Sequence, residues 1–161
     1  MTGVIIHLLL WICALGCALI AGLYFAFSTF IMTALGRIPA PAGIAAMQAI
    51  NAVIQRSLFM PLFFGTTLAA LALAALALWR WADAGSAMML AGGLVYFAGM
   101  FVCTIVFNVP LNNRLDAADP QSEAAQETWT RYLRDWTRWN HVRTLASTLA
   151  AGLFVLALVL R

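Results

Sequence analysis

Three tryptophans, a tyrosine, an asparagine and an arginine recur at helical spacing within residues 129–143, which read WTRYLRDWTRWNHVR. On a helix that advances about 100° per residue, they fall within an arc of roughly 120°. The members of this face are Trp129, Tyr132, Leu133, Trp136, Trp139, Asn140 and Arg143. The pattern predicts a binding pocket with tryptophan walls and a polar end formed by Asn140 and Arg143.

The opposite face of the same segment is charged, and it leaves a second interpretation open. It carries Arg131, Arg134, Asp135, Arg138 and His141. A helix with one aromatic face and one charged face is also typical of a membrane boundary, where Trp and Tyr are enriched. The segment is therefore either one wall of a pocket or an interfacial helix.

Further polar side chains interrupt the apolar sequence elsewhere. Asn108 and Asn112 recur at a spacing of four residues in FNVPLNNRL, and Asn51 lies between the first two long apolar runs. Polar groups at membrane depth usually face the protein interior or water, so these three asparagines are candidate pocket residues. Alternatively, Asn108 and Asn112 satisfy carbonyl groups that Pro110 leaves without donors.

The composition predicts a membrane protein with an all-α fold. The 161 residues are 64% hydrophobic and 9% charged, with a mean hydropathy of +0.92, which excludes a soluble globular domain. Four uncharged runs are about long enough to cross a hydrocarbon core, which takes roughly 17 to 25 helical residues. We therefore predict a four-helix bundle in a single domain, residues 1–161, with membrane spans at residues 4–33, 58–81, 87–107 and 142–160.

Two helical segments are predicted outside these spans. Pro39 and Pro41 end the first helix, and apolar positions in residues 43–57 then recur at helical spacing, which predicts an amphipathic segment between the first two spans. Asp119 followed by Pro120 resembles an N-cap with proline in the first helical turn. This pair predicts the start of the aromatic helix, which leads into the fourth span.

The arginines predict the orientation. Seven of the nine lie with the two long connections, whereas Arg80 and Arg161 lie on the side of both termini. By the positive-inside rule, the long connections are cytoplasmic and the termini face out. The absence of lysine and the heavy use of alanine suggest a bacterial plasma membrane. Because the arginines follow topology, the predicted partner is the lipid bilayer and not a nucleic acid.

No metal or cofactor site is predicted. The chain lacks HExxH, a glycine-rich phosphate loop, CxxC and a serine-hydrolase elbow. His7 lies near the outer end of the first span and His141 near the cytoplasmic end of the fourth, so the two cannot share a metal ion. Cys13, Cys17 and Cys103 are expected to be small buried hydrophobic residues.

The motif FNVPLNNRL, the later pattern Trp-x2-Tyr-x3-Trp-x2-Trp-Asn-x2-Arg and an asparagine between the first two spans resemble a four-helix membrane family that includes fungal anthrone oxygenases. The resemblance covers essentially the whole chain. It is carried by Asn51, Asn108, Pro110, Asn112, Trp136, Asn140 and Arg143. It implies oxidation of an anthrone to an anthraquinone by dioxygen, without a metal or flavin.

The resemblance and the aromatic face of residues 129–143 together suggest roles for individual residues. The expected catalytic residues are Asn140, Arg143 and Asn108, and the expected substrate-binding residues are Trp136, Trp139, Trp129, Asn51 and Asn112. Tryptophans would stack on a flat apolar substrate, while Arg143 and the amides would stabilise its enolate. Two functions stay open: a cofactor-independent oxygenase acting on a lipophilic phenol, anthrone or quinol, or a non-catalytic membrane protein that binds a lipid, quinone or protein partner.

Overall fold

The computed structural model describes residues 2–161 and shows five helices. The helices are α1 (Gly3–Leu35), α2 (Ala40–Ile54), α3 (Phe59–Trp79), α4 (Ser86–Asp116) and α5 (Glu123–Leu160). By length and composition, α1, α3, α4 and α5 can each cross a membrane, and the shorter α2 is the amphipathic segment between the first two spans. No strand occurs in the described residues. The predicted all-α, four-span architecture is confirmed.

Two of the long helices contain π-helical turns. In α1 the widened turn covers Phe27–Ile31, and in α4 two such segments cover Phe97–Val102 and Thr104–Asn108. The last segment directly precedes Pro110, where a wider turn relieves the clash between a proline ring and the preceding helical turn. As a result, α4 continues to Asp116 and does not stop near residue 107.

The connection between α3 and α4 is a tight turn around Gly85. This glycine has a φ of +79°, and a Cβ atom there would lie 2.9 Å from the carbonyl oxygen of Ala157 in α5. Only glycine combines a left-handed backbone with so close an approach. Asp83 in the same turn accepts from Arg80 Nε at 2.7 Å and from Arg161 Nη2 at 3.4 Å, which ties the turn to the end of α5.

The start of α5 differs from the sequence prediction. Ser122, not Asp119, caps the helix, because its Oγ accepts from Ala125 N at 3.2 Å. Asp119 Oδ1 instead accepts from Gln121 N at 3.0 Å, which forms a turn two residues long. The prediction that Asp119 and Pro120 start α5 is therefore wrong, because an aspartate can stabilise such a turn as readily as a helix end.

The aromatic face of α5 is buried between α1, α2 and α4. We call this second buried cluster the aromatic core; it comprises Phe27, Met32, Ile44, Met47, Leu115, Ala125, Trp129, Tyr132 and Trp136. Trp129 and Trp136 are only 4% and 5% exposed, so their rings contact protein and not lipid. At Gly43 of α2, a Cβ atom would lie 2.6 Å from the Trp129 ring, so α2 sits directly on this face.

Candidate functional site

Asn140 joins α5 to α1 through its side-chain amide. Its Nδ2 donates at 2.7 Å both to the carbonyl oxygen of Tyr24 and to Ser28 Oγ. Tyr24 lies just before the π-helical turn of α1, where the regular backbone hydrogen bonding changes. Asn140 is fully buried, and its amide donates to a main-chain carbonyl of α1 close to this turn.

Two hydroxyl groups complete this network. Thr144 Oγ1 donates to the carbonyl oxygen of Asn140 at 2.9 Å and lies 3.0 Å from Ser28 Oγ. Because the Thr144 proton is already committed, the hydroxyl of Ser28 donates to Thr144. Every polar atom of the Asn140 side chain then has a partner, which fixes the orientation of its oxygen.

Arg143 lies one helical turn beyond Asn140 and is the charged group of the site. Its Nη2 donates to Asn140 Oδ1 at 2.7 Å. Its Cζ lies 4.1 Å from the ring centroid of Tyr24 and 4.9 Å from that of Trp136, so two aromatic faces stabilise the cation. The side chain is buried, with the residue 4% exposed. None of the carboxylates whose side chains are described pairs with it.

A cavity of about 320 Å³ opens beside Arg143 and receives side chains from all five helices. Its walls are mainly apolar and aromatic. Besides the aromatic Tyr24 and Trp136, the lining residues with polar side chains are Asn51, Gln55, Thr104, Asn112, Asn113 and Arg143. The volume falls at the lower end of the range of about 300–1,000 Å³ that is typical of small-molecule sites. No acidic residue lines it, so Arg143 sets the sign of its electrostatic potential.

Three N–H groups of residues at the cavity have no hydrogen-bond partner within residues 2–161. They are Asn51 Nδ2, Trp136 Nε1 and Arg143 Nε. Buried N–H groups in proteins are almost always paired. Each of these nitrogen atoms is itself buried, so the three lie within the cavity wall and not on its open surface.

A second set of contacts supports the cavity from α4. Tyr132 donates its hydroxyl to Asn112 Oδ1 at 2.9 Å, and Asn108 Nδ2 donates to the carbonyl oxygen of Trp136 at 3.2 Å. The rings of Trp129, Tyr132 and Trp136 follow one another along α5, with centroids 5.8 and 5.9 Å apart. These contacts hold the ring of Trp136 against the cavity.

The eight residues selected from the sequence divide into two groups. Those that line the cavity are Asn51, Asn112, Trp136 and Arg143. The other four lie outside its lining: Asn108 and Asn140 are buried and bond to main-chain carbonyls, Trp129 packs against α2, and Trp139 stacks on Phe107 at 3.6 Å. The structure thus brings the predicted amides, tryptophans and arginine to one region, with half of them at the cavity surface.

Several cavity residues were not singled out by the sequence pattern. Tyr24, Phe27, Phe59 and Phe63 all contribute to the walls. They belong to α1 and α3, which are apolar on every side and therefore carry no periodic signal that marks one face. The one available signal was Tyr24, the first residue with a polar side-chain atom after Cys17 in α1.

The site contains no cluster of metal ligands. Among the described residues, no three His, Cys, Asp or Glu side chains come together. The chemistry that the site offers is that of one guanidinium, several amides and aromatic rings. It can bind a flat apolar molecule and stabilise negative charge on an oxygen atom of that molecule.

Comparison with known proteins identifies the family of the chain. No match was found among curated proteins or among solved structures. A family model described as anthrone oxygenase matches residues 52–153, which is more than half of the chain. The matched range contains Asn108, Asn112, Trp136, Asn140 and Arg143, and begins one residue after Asn51. The chain therefore belongs to the anthrone oxygenase family.

Proposed function

We propose that this protein is a cofactor-independent oxygenase that binds a lipophilic phenol, anthrone or quinol as its anion and oxidises it with dioxygen. One observation carries the proposal: Arg143 is a buried cation at the cavity, and no described carboxylate pairs with it. An isolated charge at such depth is costly, and an anionic oxygen of a ligand supplies the missing counter-charge. Membership of the anthrone oxygenase family supports the same class of reaction.

The cavity suits both parts of such a ligand. Tyr24, Phe27 and Trp136 offer aromatic faces to a flat ring system. The guanidinium of Arg143 and the side-chain amides of Asn51 and Asn112, which belong to lining residues, offer hydrogen bonds to an oxyanion. Donors that are already in place before charge develops stabilise a transition state without reorganisation, and loss of one typically lowers the rate by about 10²–10³-fold.

For an anthrone, the proposed reaction removes two hydrogens from the benzylic carbon and adds one oxygen atom there, while the second oxygen atom of dioxygen leaves as water. The benzylic carbon gives its first proton to water before binding, which places the negative charge on the enolate oxygen, the former carbonyl oxygen of the anthrone. Arg143 stabilises that charge, and the apolar walls take up both dioxygen and substrate. Asn140 holds the guanidinium and Asn108 holds the Trp136 backbone, so we assign these two amides to positioning.

The test is dioxygen consumption by the purified protein in mild detergent, with anthrones and hydroquinones as substrates and quinone absorbance as a second readout. Arg143→Gln should lower turnover by about 10²-fold or more. Arg138→Gln, an exposed arginine on the same helix, is the matched control and should turn over normally. Equal turnover by both variants would reject the oxygenase assignment, provided that both elute as monodisperse protein.

A non-catalytic binding protein is the second candidate. It is favoured by the contacts of Asn140 and Asn108, because both amides donate to main-chain carbonyls as purely structural amides do. On this alternative, the wild-type protein binds a lipid, a quinone or a protein partner and consumes no dioxygen. Native mass spectrometry of the protein released from detergent, with the same substrates added, distinguishes binding from turnover.

We further propose a bacterial plasma membrane location with both termini outside. Even when buried Arg143 is left out, more arginines lie on the side of the long connections than on the side of the termini. The first group is Arg37, Arg56, Arg114, Arg131, Arg134 and Arg138, and the second is Arg80 and Arg161. An alkaline phosphatase fusion after Arg161 should be active. An inactive fusion would place the C-terminus in the cytoplasm and contradict the proposed orientation.

A further inference from the structure

A second concavity adjoins the cavity and faces outward between α1, α2 and the start of α3. This apolar groove has a volume of about 570 Å³. Five of its residues also line the cavity, and three belong to the groove alone. The shared residues are Leu23, Phe27, Ile50, Ile54 and Phe59, and the groove-only residues are Ala49, Val53 and Ser57.

The wall between cavity and groove is made of apolar side chains. Leu23 and Phe27 come from α1, whereas Ile50 and Ile54 come from α2. A change of rotamer in these side chains would open a passage without moving a helix, because rotamer changes need no backbone displacement. The groove therefore adjoins the apolar end of the cavity across side chains that line both.

The side chains that line the groove favour binding of a hydrocarbon chain. Ser57 is its only lining residue with a polar side-chain atom, and no charged residue lines it. The Ser57 hydroxyl donates to the carbonyl oxygen of Ile54 at 2.8 Å and accepts from Phe59 N at 3.2 Å. No polar side-chain group in the groove is left to bind a head group or a peptide. Val53 is 68% exposed, so the open side faces the surroundings of the bundle.

We propose that this groove receives a hydrocarbon tail attached to the same ligand whose charged oxygen meets Arg143. The ligand class is thus an amphiphile, a flat phenol, anthrone or quinol with an alkyl substituent, which reaches the cavity sideways from the lipid phase. The inference rests on the proposed ligand site but not on oxidation. Each methylene buried in the groove strengthens binding by about fourfold at most.

The experiment compares two probes, 2-naphthol and 6-hexyl-2-naphthol, by quenching of tryptophan fluorescence in one detergent. Val53→Phe and Ala49→Phe fill the groove at residues that do not line the cavity. They should raise the Kd of the hexyl probe at least tenfold and change that of 2-naphthol less than twofold. Leu19→Phe, on an exposed part of α1 that lines neither concavity, should change neither Kd. Detergent takes up the same fraction of the hexyl probe in every sample, so this uptake does not affect the ratio of Kd values between variants.

The outcomes separate the two proposals. Unchanged hexyl-probe binding in both groove variants, or equal loss of both probes, would overturn the tail site. Phospholipid that copurifies in the groove and is not displaced by the hexyl probe would overturn it too. Arg143→Met should weaken both probes; if it weakens neither while Val53→Phe still weakens the hexyl probe selectively, the anion site fails and the tail site stands.

Discussion

The guanidinium of Arg143 in α5 rests on the ring face of Tyr24 in α1, with Cζ 4.1 Å from the ring centroid. The same tyrosine accepts from Asn140 through its backbone carbonyl at 2.7 Å. Tyr24 thus contacts both members of the polar pair of α5, one with its ring and one with its main chain. The cation at the cavity is consequently positioned by the packing of α1 against α5.

Replacing Tyr24 should separate the contribution of the ring from that of the hydroxyl group. Tyr24→Phe keeps the aromatic face and should retain wild-type stability to within about 0.5 kcal/mol. Tyr24→Leu removes the face, and a desolvated cation–π contact is worth about 2 kcal/mol or more. The stability of both variants is measured as the fraction of protein that stays monodisperse in detergent as the temperature is raised. Equal losses in the two variants would show that the ring face does not stabilise Arg143.

Asn140 should be the most sensitive residue of the network for folding. Asn140→Ala leaves the Tyr24 carbonyl and one Arg143 N–H without partners, and each buried unsatisfied group costs about 1–3 kcal/mol. We expect a loss of about 2–4 kcal/mol for this variant and about 1 kcal/mol for Ser28→Ala, in which Asn140 keeps its bond to Tyr24. Gln126→Ala, an exposed side chain of α5, should have no effect. A larger loss from Ser28→Ala than from Asn140→Ala would contradict the hydrogen-bond network described above.

The periodicity of α5 predicted the site better than any other part of the sequence. A face that repeats every 3.6 residues is read directly from residue types, and Trp136, Asn140 and Arg143 do share one buried face. Trp139 was assigned to the same face, but it is only half-buried and stacks on Phe107. A helical wheel places side chains by angle and does not show where the neighbouring helix ends.

The partner of that face was beyond sequence reasoning. Asn140 bonds to the backbone of Tyr24, and a carbonyl acceptor has no signature in residue types. Tyr24 lies close to the π-helical turn Phe27–Ile31, whose residues FSTFI give no local signal for such a turn. The continuation of α4 beyond the predicted span, residues 87–107, has a related cause, since the π-helical turn Thr104–Asn108 lets the helix pass Pro110.

The contact between Gly43 and Trp129 should control how closely α2 covers the aromatic core. A Cβ atom at Gly43 would lie 2.6 Å from the Trp129 ring, so Gly43→Ala should cost about 1–3 kcal/mol through overpacking. Gly22→Ala is the matched control, because a Cβ atom at this helical glycine meets nothing within 4 Å. It should be neutral or stabilise by up to about 1 kcal/mol through helix propensity. The two variants would be compared by thermal unfolding, and equal behaviour would remove α2 from the support of the site.

A carboxylate placed in the cavity should compete with an anionic ligand. Asn112→Asp keeps an oxygen that can accept from the Tyr132 hydroxyl, as Asn112 Oδ1 does at 2.9 Å, so the fold is expected to persist. The added charge supplies an internal counter-ion for Arg143 and repels an anion. At an effective dielectric constant of 20 and roughly 10 Å, two like charges repel by about 1.7 kcal/mol, which is more than tenfold in affinity. Isothermal titration calorimetry with 2-naphthol, at pH values above and below the pKa of its hydroxyl group, should show this loss of affinity for the anion only. An equal loss for the neutral and the ionised ligand would mean that the cavity does not distinguish ligand charge.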